Sequence, residues 1–496
     1  MSLIYRFWRK YLSSAGFFKK MKKKNWISNL KSSPMLLIGL AFLFVILLGS
    51  LLLFLPFTHK SNSFSIEYID ALFTSISATC VTGLVSIKEG VADTFNIFGY
   101  VIIAILIQIG GFGAAMVGVS IFIIFARKLS FQQQNLIKES WNISNYKGLK
   151  RIFLLIVLTT FVFELIGATL LFLDFYFLHN EIGGGNNFAL VGYSVFTSIS
   201  AFNNAGFDLF GTTSLISFQN DIWLNLIIAF LIIFGGLGYL VIFNIFSKKF
   251  NFKRFRFDAK VAVFMTFILI VFGTLIIYGT ENLITPNTSF TSGNKSVNFL
   301  GAFFLSVSTR TAGFTTYDLS CARNSTLLIM MVLMFIGACP GGTGGGIKTT
   351  TVFVTFIHFI SMVSKKPVHA FERSVSKKVI NRALTLMFVS MLLIILSVFL
   401  ISTFEGNMNF IKDGVIHKEY VEDSSLYGLV DYLFEVFSAF ATVGLSTGYT
   451  PYFTNGSKIV LMFLMFLGRL GPLSISQIVK NKEVPWNYVE EDVSIG

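Results

Sequence analysis

Long apolar stretches alternate with shorter, more polar segments along the whole chain. A helix that crosses a membrane needs about 20 mostly apolar residues. The stretches that are long enough are residues 35–57, 95–126, 151–178, 221–247, 259–279, 326–362, 383–404 and 457–479. Within each successive pair lies a segment that is too short and too polar to span. The pattern predicts eight spanning helices and four re-entrant helices, each of which is followed by a loop.

The four re-entrant segments repeat one another. They read FTSISATCVTGL, FTSISAFNNAGF, FFLSVSTRTAGF and FEVFSAFATVGL, and each has a phenylalanine ten residues before a shared glycine. The shared glycines are Gly83, Gly206, Gly313 and Gly444. A second motif follows as QIGGFG, IFGGLG, FIGACPGG and FLGRLG, and its first glycine lies 27, 29, 24 and 24 residues further on. Two signals that recur in the same order indicate a tandem repeat.

We therefore predict an all-α polytopic membrane protein, with four tandem repeats of helix, pore helix and helix around one pore. The predicted parts are a basic cytoplasmic N-terminal arm (1–34), pore repeats at 35–126, 151–247, 259–362 and 383–480, and a C-terminal tail (481–496). Four ordinary amphipathic hairpins would explain neither the shared register nor the second glycine motif.

Charge supports this topology. The chain has 496 residues, of which 54% are hydrophobic and 13% charged, against about 25% charged in soluble proteins. Of the 39 lysines and arginines, 29 fall in segments 1–34, 127–151, 248–260, 361–383 and 472–496. This asymmetry predicts that these segments, and hence both termini, face the cytoplasm. The net charge of +14 therefore sets orientation and indicates no nucleic-acid partner. For the basic arm, an anchor at the anionic leaflet and docking of a partner both stay open.

Candidate enzyme chemistry is sparse. The three cysteines are far apart, the five histidines are scattered, and there is no HExxH motif. We find no nucleophile with a base and no metal-ligand spacing. We therefore expect a protein that is not an enzyme and has no covalently bound cofactor.

The shared glycines indicate an ion filter. In potassium channels, four loops supply rings of backbone carbonyls that replace the hydration shell of the ion. A carbonyl that points at the axis often requires φ > 0, which glycine adopts freely. The residues before each glycine differ between repeats, as expected if the backbone binds the ion. The predicted filter segments are Cys80, Val81, Thr82 and Gly83; Asn203, Asn204, Ala205 and Gly206; Arg310, Thr311, Ala312 and Gly313; and Ala441, Thr442, Val443 and Gly444.

The sixth apolar stretch contains GACPGGTGGGIKTTT, from Gly337 to Thr351. As one helix, residues 326–362 would be about 55 Å long, against a hydrocarbon core of about 30 Å. Proline and glycine break helices, so we predict two half-helices joined by a loop near mid-membrane. A phosphate-binding Walker loop is disfavoured, because Ile347 separates Gly346 from Lys348 and no strand precedes the motif. The segment 337–351 is instead a candidate gate, with Gly341, Gly342, Thr343, Gly344, Gly345, Gly346, Lys348 and Arg469 as its residues.

Charged residues at membrane depth are functional candidates. Arg469 occupies the position of Gly111 and Gly236 in the first two repeats, so we expect it near the axis, opposing cations or tied to the glycine-rich segment. For Lys348, a role in the gate and a position snorkelling to the inner surface both stay open. We expect Arg310 to point away from the ion, and Glu164 to pair inside the bundle. Asp174 falls near the outer end of the third stretch, where we expect it to be solvated.

These motifs carry a family resemblance. VTGL, NNAGF, RTAGF and ATVGL, together with GGTGGGIKTTT and GRLGPLS, resemble the filters and gate of the Trk/Ktr/HKT superfamily of potassium transporters, most closely the bacterial KtrB-like subunit. The resemblance covers residues 35–480.

That resemblance has several implications. It implies potassium uptake across a bacterial plasma membrane by a homodimer with one pore in each protomer. It also implies a cytosolic, KtrA-like ring of nucleotide-binding regulatory subunits. Within this family, Gly83 in the first filter favours potassium over sodium. A sodium or other monovalent cation transporter of the same fold remains the alternative, and sodium as a coupling ion stays open.

Overall fold

The computed structural model describes residues 34–60, 66–113, 149–179, 181–211, 214–282, 297–406, 409–412, 415–418 and 428–471. The helices are α1 (Pro34–Phe54), α2 (Tyr68–Cys80), α3 (Gly90–Thr94), α4 (Ile97–Gly111), α5 (Leu149–Leu178), α6 (Asn187–Phe202), α7 (Ile222–Leu237), α8 (Tyr239–Ser247), α9 (Phe257–Asn282), α10 (Phe299–Ser308), α11 (Asn324–Phe335), α12 (Thr349–Ser364), α13 (Lys377–Gly406), α14 (Leu429–Ala441) and α15 (Asn455–Leu470). Almost all of the predicted N-terminal arm, the C-terminal tail and the far ends of the second and eighth apolar stretches lie outside the described residues.

The described residues are mostly helical, as the predicted fold class requires, with two small β-hairpins that the prediction did not include. Two short antiparallel hairpins are present, β1 (His369–Ala370) with β2 (Arg373–Ser374), and β3 (Asn409–Lys412) with β4 (Val415–Lys418). The first hairpin turns at two residues with positive φ, as tight two-residue hairpins do. Strands of two to four residues are too short to show an alternating pattern in the sequence.

The four short helices α2, α6, α10 and α14 coincide with the predicted re-entrant segments. They have 13, 16, 10 and 13 residues. At 1.5 Å per residue they are about 15–24 Å long, which is less than a bilayer core. Asparagine side chains cap two of them: Asn186 Oδ1 accepts from Phe188 N, and Asn298 Oδ1 accepts from Gly301 N. We call these four the pore helices.

The helices fall into four units: unit 1 (34–113), unit 2 (149–247), unit 3 (257–364) and unit 4 (377–471). In each, a first long helix packs on the pore helix, as α1 does on α2. The next helix of each unit packs on the pore helix of the following unit: α4 on α6, α7 on α10, α11 on α14 and α15 back on α2. The packing order is therefore cyclic.

The core is divided in the same way. One buried apolar cluster joins unit 1 to Ala205 and Phe207 of unit 2, and another joins unit 2 to Ala312 and Phe314 of unit 3. Two further clusters join unit 3 to unit 4, and unit 4 to unit 1. Each cluster thus includes filter residues of the next unit. The outward faces of α1, α5, α9 and α13 expose large apolar side chains, as lipid-facing helices do.

Three described helices, α5, α9 and α13, are long and apolar enough to cross a membrane. A fourth span results if the bent pair α7 and α8 is counted as one. Eight membrane crossings and cytoplasmic termini stay predictions, as do the limits of the predicted domains.

The stretch 221–247 is not one continuous helix, which corrects the prediction for the fourth span. Helix α7 ends at Leu237, and α8 leaves it at an angle of 96°. Gly238 joins them with φ of +91°, a conformation that a helix cannot contain. The glycine motif thus breaks unit 2 as well as unit 3, where the chain leaves α11 at Phe335 and resumes as α12 at Thr349.

Candidate functional site

The four shared glycines meet at the centre of the cyclic packing. A Cβ atom added to Gly83 would lie 2.5 Å from the carbonyl oxygen of Ala205 in unit 2. The same relation holds from Gly206 to Ala312 at 2.7 Å and from Gly313 to Val443 at 2.5 Å. A Cβ on Gly444 would overlap the carbonyl of Thr82, which closes the ring. Each of these positions therefore requires glycine for two reasons. A side chain would clash with the carbonyl of the neighbouring unit, and the backbone has a φ of +71° to +97°.

A second left-handed position recurs in every filter segment, two residues before the glycine. Val81, Asn204, Thr311 and Thr442 have φ of 58°, 59°, 74° and 52°. Such values are rare for β-branched residues and store strain that the surrounding fold must offset. Sequence reasoning missed this feature, since it assigned left-handed backbone only to glycine. Positive φ at both ends of a three-residue run alternates the handedness of the backbone, which turns successive carbonyls toward one side.

The amide groups of the filter segments point back at the pore helices. Thr82 N donates to Ser77 O at 2.8 Å, and Ala205 N donates to Ser200 O at 2.8 Å. Ala312 N and Val443 N donate in the same way, each at 2.9 Å, to Ser308 O and Ser438 O. In units 1 and 4 the filter glycine N also donates to a serine hydroxyl, at 3.1 Å in both cases.

The carbonyl groups have no such partners. Among the described residues, no hydrogen bond ends on the carbonyl oxygens of 81–83, 204–206, 311–313 or 442–444. All of these residues are buried except Gly444, which is half-buried. Buried backbone oxygens are nearly always paired, so these carbonyl groups, which have no partner among the described residues, are available to a ligand. A cation without its hydration shell would supply the missing interactions.

The filter of unit 2 is braced by its side chains. Asn203 Nδ2 donates to Glu164 Oε1 at 2.8 Å and to Gln108 Oε1 at 3.2 Å. Gln108 Nε2 in turn donates to Glu164 Oε2 at 3.3 Å. Glu164 lies on α5, and it pairs inside the bundle with a predicted filter residue. Neither Asn203 nor Gln108 was recognised in the sequence as its partner, because 39 and 56 residues separate them from Glu164.

Arg310 points away from the ring and toward the glycine-rich loop (337–346). Its Nη2 lies 4.0 Å from Cys339 Sγ, and the residue is 6% exposed. In unit 2, the Asn204 amide oxygen accepts from Thr311 Oγ1 at 3.2 Å, while its nitrogen donates to Ala201 O and Ile232 O. The side chains before the glycines thus hold the segments in place and leave the ring to the backbone.

The glycine-rich loop packs against the filter segments of units 3 and 4. Gly345 N donates to Thr442 Oγ1 at 2.9 Å. A Cβ on Gly344 would overlap Thr311 Oγ1, so glycine alone permits this approach. The loop is also bonded to unit 2, where Thr343 N donates to Gly235 O at 3.2 Å and Cys339 N to Gly236 O at 3.0 Å.

The two cationic side chains of the predicted gate hold the same loop. Arg469 donates through Nη1 to Thr343 O and through Nη2 to Gly110 O, so it joins α15, the loop and the end of α4. Lys348 Nζ donates to Gly344 O at 2.6 Å and Gly345 O at 3.4 Å. Lys348 therefore closes the loop on itself rather than extending toward a membrane surface. Lys348 and several loop amides already have hydrogen-bond partners within the protein, so they are not free to bind a phosphate.

The second glycine motif also has a packing reason. A Cβ on Gly110, Gly235 or Gly468 would overlap the carbonyl of Thr79, Phe202 or Phe440, in each case four residues before the filter glycine. In unit 3, Gly337 packs instead against Gly345 O of the loop. The motif brings each following helix into contact with the end of a pore helix, and in unit 3 the loop takes that place.

Four cyclically packed helical units whose outward faces expose large apolar side chains are typical of a membrane transport protein. The family model for TrkH, described as a cation transport protein, matches residues 45–487. The chain belongs to this family, and the predicted resemblance to the Trk/Ktr/HKT superfamily is confirmed. It is a transporter rather than an enzyme, and a multi-pass protein of the plasma membrane.

Similar proteins agree over nearly the full length. The potassium/sodium uptake protein NtpJ of Enterococcus hirae is 35% identical, over 94% of this chain and 97% of that protein. The Ktr system potassium uptake protein B of Vibrio alginolyticus is 36% identical, over 93% and 94%, and that of Bacillus subtilis is 32% identical, over 96% and 100%. The crystal structure of the potassium transporter TrkH from Vibrio parahaemolyticus shares the fold, with a TM-score of 0.61 and 18% identity over 88% of this chain and 84% of that one.

Proposed function

We propose that this protein takes up potassium across the plasma membrane through the ring of filter carbonyls. The observation that carries the proposal is the set of twelve carbonyl oxygens without hydrogen-bond partners among the described residues. Such oxygens replace the hydration shell of a weakly hydrated cation at little cost, because the protein has already oriented them. The relatives named as potassium uptake proteins support the same ion.

The alternative is a transporter of the same fold that also carries sodium. The potassium/sodium uptake protein NtpJ is similar enough to this chain to keep that reading open. Rubidium is the probe that separates the two, since it replaces potassium and can be counted directly. The purified protein is reconstituted into vesicles that are loaded with potassium, so that the potassium gradient drives rubidium uptake. This uptake is then measured at rising concentrations of external sodium. Potassium selectivity requires that sodium leave rubidium uptake largely unchanged; equal uptake of sodium contradicts it.

We propose that the glycine-rich loop is the gate. Support comes from its position, bonded to Thr442 and packed on Thr311 at the start of two filter segments. The hydrogen bonds from Lys348 and Arg469 would then stabilise the closed state. Opening requires the loop to leave these partners, and a cytosolic partner bound to the inner ends of α8 or α12 could supply the difference in free energy.

We further propose a homodimer that works with a cytosolic, nucleotide-binding regulatory ring. The family resemblance and the Ktr system relatives support this. Uptake in cells without their own potassium transporters, with and without a co-expressed regulatory subunit, tests the partner. Light scattering of the purified protein tests the dimer, and a monomeric mass would contradict it. The same uptake assay without sodium outside decides whether sodium drives transport.

A further inference from the structure

A group of three potential metal ligands lies away from the filter, at the far end of unit 2. Asp174 is in the last turns of α5, His179 follows that helix directly, and Asp221 precedes α7. One ligand atom from each lies within 4.8 Å of the others. We propose that Asp174, His179 and Asp221 bind a divalent metal ion of the zinc type on the predicted outer side of the molecule.

The cluster is incomplete as a set of hydrogen bonds. Asp174 is only 7% exposed, which corrects the expectation of a solvated side chain, and its Oδ2 is buried without a hydrogen-bond partner. His179 Nε2 lies 2.5 Å from Asp221 Oδ2, while Asp221 Oδ1 caps α7 by accepting from Leu224 N at 3.1 Å. Among the residues that the structure describes, no lysine or arginine pairs with either aspartate. Because His179 can supply at most one positive charge, the two carboxylates are not fully compensated within the cluster.

In units 3 and 4, the acidic residue near the end of the first long helix caps the start of a later helix. Asp174 and Glu281 each lie 32 residues before the filter glycine of their unit. Glu281 accepts from Arg323 N at 3.2 Å and from the Thr326 hydroxyl, so it caps the start of α11.

Unit 4 repeats this solution with Glu405, which accepts from Thr454 N at 3.1 Å and from Ser457 Oγ at 2.6 Å. In unit 2 the start of the equivalent helix is capped by Asp221 itself. Asp174 therefore faces a second carboxylate where the other units offer donors.

The ligand set indicates the class of metal. Imidazole with carboxylates suits zinc and its first-row neighbours, whereas magnesium and calcium prefer oxygen ligands alone. Three protein ligands leave a fourth position for water. Around a tetrahedral ion, ligand atoms are about 3.4 Å apart, given bonds of about 2.1 Å. The His179–Asp221 contact of 2.5 Å would open by about 1 Å to reach this spacing. The ring of His179 packs edge-on against Phe218, which limits its rotation.

The test is zinc binding by the full chain, purified without a histidine tag and stripped of metal. Calorimetry should detect one zinc ion per chain. We expect Asp174→Asn and His179→Gln each to weaken this affinity by at least tenfold, since even supporting residues of metal sites have effects of about 10–100-fold. The matched controls are Asp318→Asn, which alters another aspartate cap outside the cluster, and His59→Gln, which replaces a ring that donates through Nε2 to Leu53 O.

Cobalt gives a second readout that does not depend on affinity. Bound Co²⁺ should show the visible absorption of a four-coordinate site, which zinc should abolish. Zinc should also raise the melting temperature of the wild type and both controls, but not of Asp174→Asn. Equal zinc binding by the wild type and Asp174→Asn would overturn the proposal. An absence of zinc binding would overturn it as well. None of these measurements depends on transport.

Discussion

The side-chain amide of Asn203 donates to Glu164 Oε1 at 2.8 Å, and this contact ties the second filter segment to a lipid-facing helix of its own unit. A buried carboxylate that accepts from a filter residue supports the shape of the filter. It does so without touching the ion path, because the ring is formed by backbone.

Replacing this carboxylate should loosen the filter. In Glu164→Ala, Gln108 Nε2 loses its acceptor, and Asn203 keeps only Gln108 Oε1 and Ile199 O. A buried donor left unpaired costs about 1–3 kcal/mol. We expect discrimination between rubidium and sodium to fall severalfold, while Glu164→Gln retains most of it because its amide oxygen still accepts from Asn203. Competition uptake measures both. Glu372→Ala, at an exposed turn, is the matched control. Unchanged discrimination in Glu164→Ala would contradict a bracing role.

A side chain on a filter glycine should block transport. In Gly206→Ala, the new Cβ would lie 2.7 Å from Ala312 O. The left-handed backbone would cost about 1–2 kcal/mol more. We expect rubidium uptake to fall roughly tenfold or more. Gly192→Ala serves as control, since that glycine lies on the same pore helix with no neighbour within 4 Å of its Cβ position. Wild-type uptake by Gly206→Ala would exclude a filter at this ring.

Removing Arg469 should weaken the closed state of the proposed gate. Its two charge-assisted hydrogen bonds reach the loop at Thr343 and α4 at Gly110, and each such bond contributes about 1.5–3 kcal/mol. We expect Arg469→Ala to raise basal rubidium uptake about tenfold or more without the regulatory subunit. Arg469→Lys should be intermediate, because an ammonium lacks the planar two-nitrogen geometry. Kinetics identical to wild type in both variants would remove Arg469 from the mechanism.

Shortening the glycine-rich loop should have the same direction of effect. Deletion of Gly341 to Gly345 removes the contact with Thr442 and both carbonyls that Lys348 binds. We expect a higher potassium flux that depends less on the regulator. Gly344→Ala is a milder variant, in which a methyl group would overlap Thr311 Oγ1 and displace the loop. A deletion variant that elutes as folded protein but shows unchanged or no flux would argue against the gate.

The seam between units 4 and 1 offers a test of stability. Lys458 Nζ on α15 lies 2.8 Å from Asp70 Oδ1 on α2, with side chains 8% and 17% exposed. Ser86 Oγ donates to the same oxygen at 2.7 Å. Breaking a buried pair on one side leaves an uncompensated charge and costs about 3–5 kcal/mol. We expect Asp70→Asn and Lys458→Met each to lower the melting temperature, and the double variant to recover part of the loss. Additive effects in this cycle would contradict direct coupling.

Much of the central arrangement could be predicted from sequence, because a repeated glycine reports a repeated backbone requirement. The shared register of Gly83, Gly206, Gly313 and Gly444 can be read from the amino-acid sequence. The left-handed residues two positions earlier are not, since valine and threonine normally avoid this conformation and only the packed ring imposes it.

The bend at Gly238 was missed for a different reason. Residues 221–247 are apolar throughout, so hydropathy could not distinguish one helix from two at 96°. Contacts such as Glu164 with Asn203 depend on how two helices rotate against each other. A single sequence does not contain that information, and the cluster of Asp174, His179 and Asp221 escaped notice for the same reason.

The glycine-rich loop belongs to one unit of the four. A channel built from four identical chains would have to move four symmetrical parts, or break its symmetry, in order to open. Here the four units share a chain but have diverged, and the single loop contacts two neighbouring filter segments from one side. Movement of this one loop would therefore open or close the pore in a single step. A partner that binds off-centre beneath the pore would be sufficient to work it.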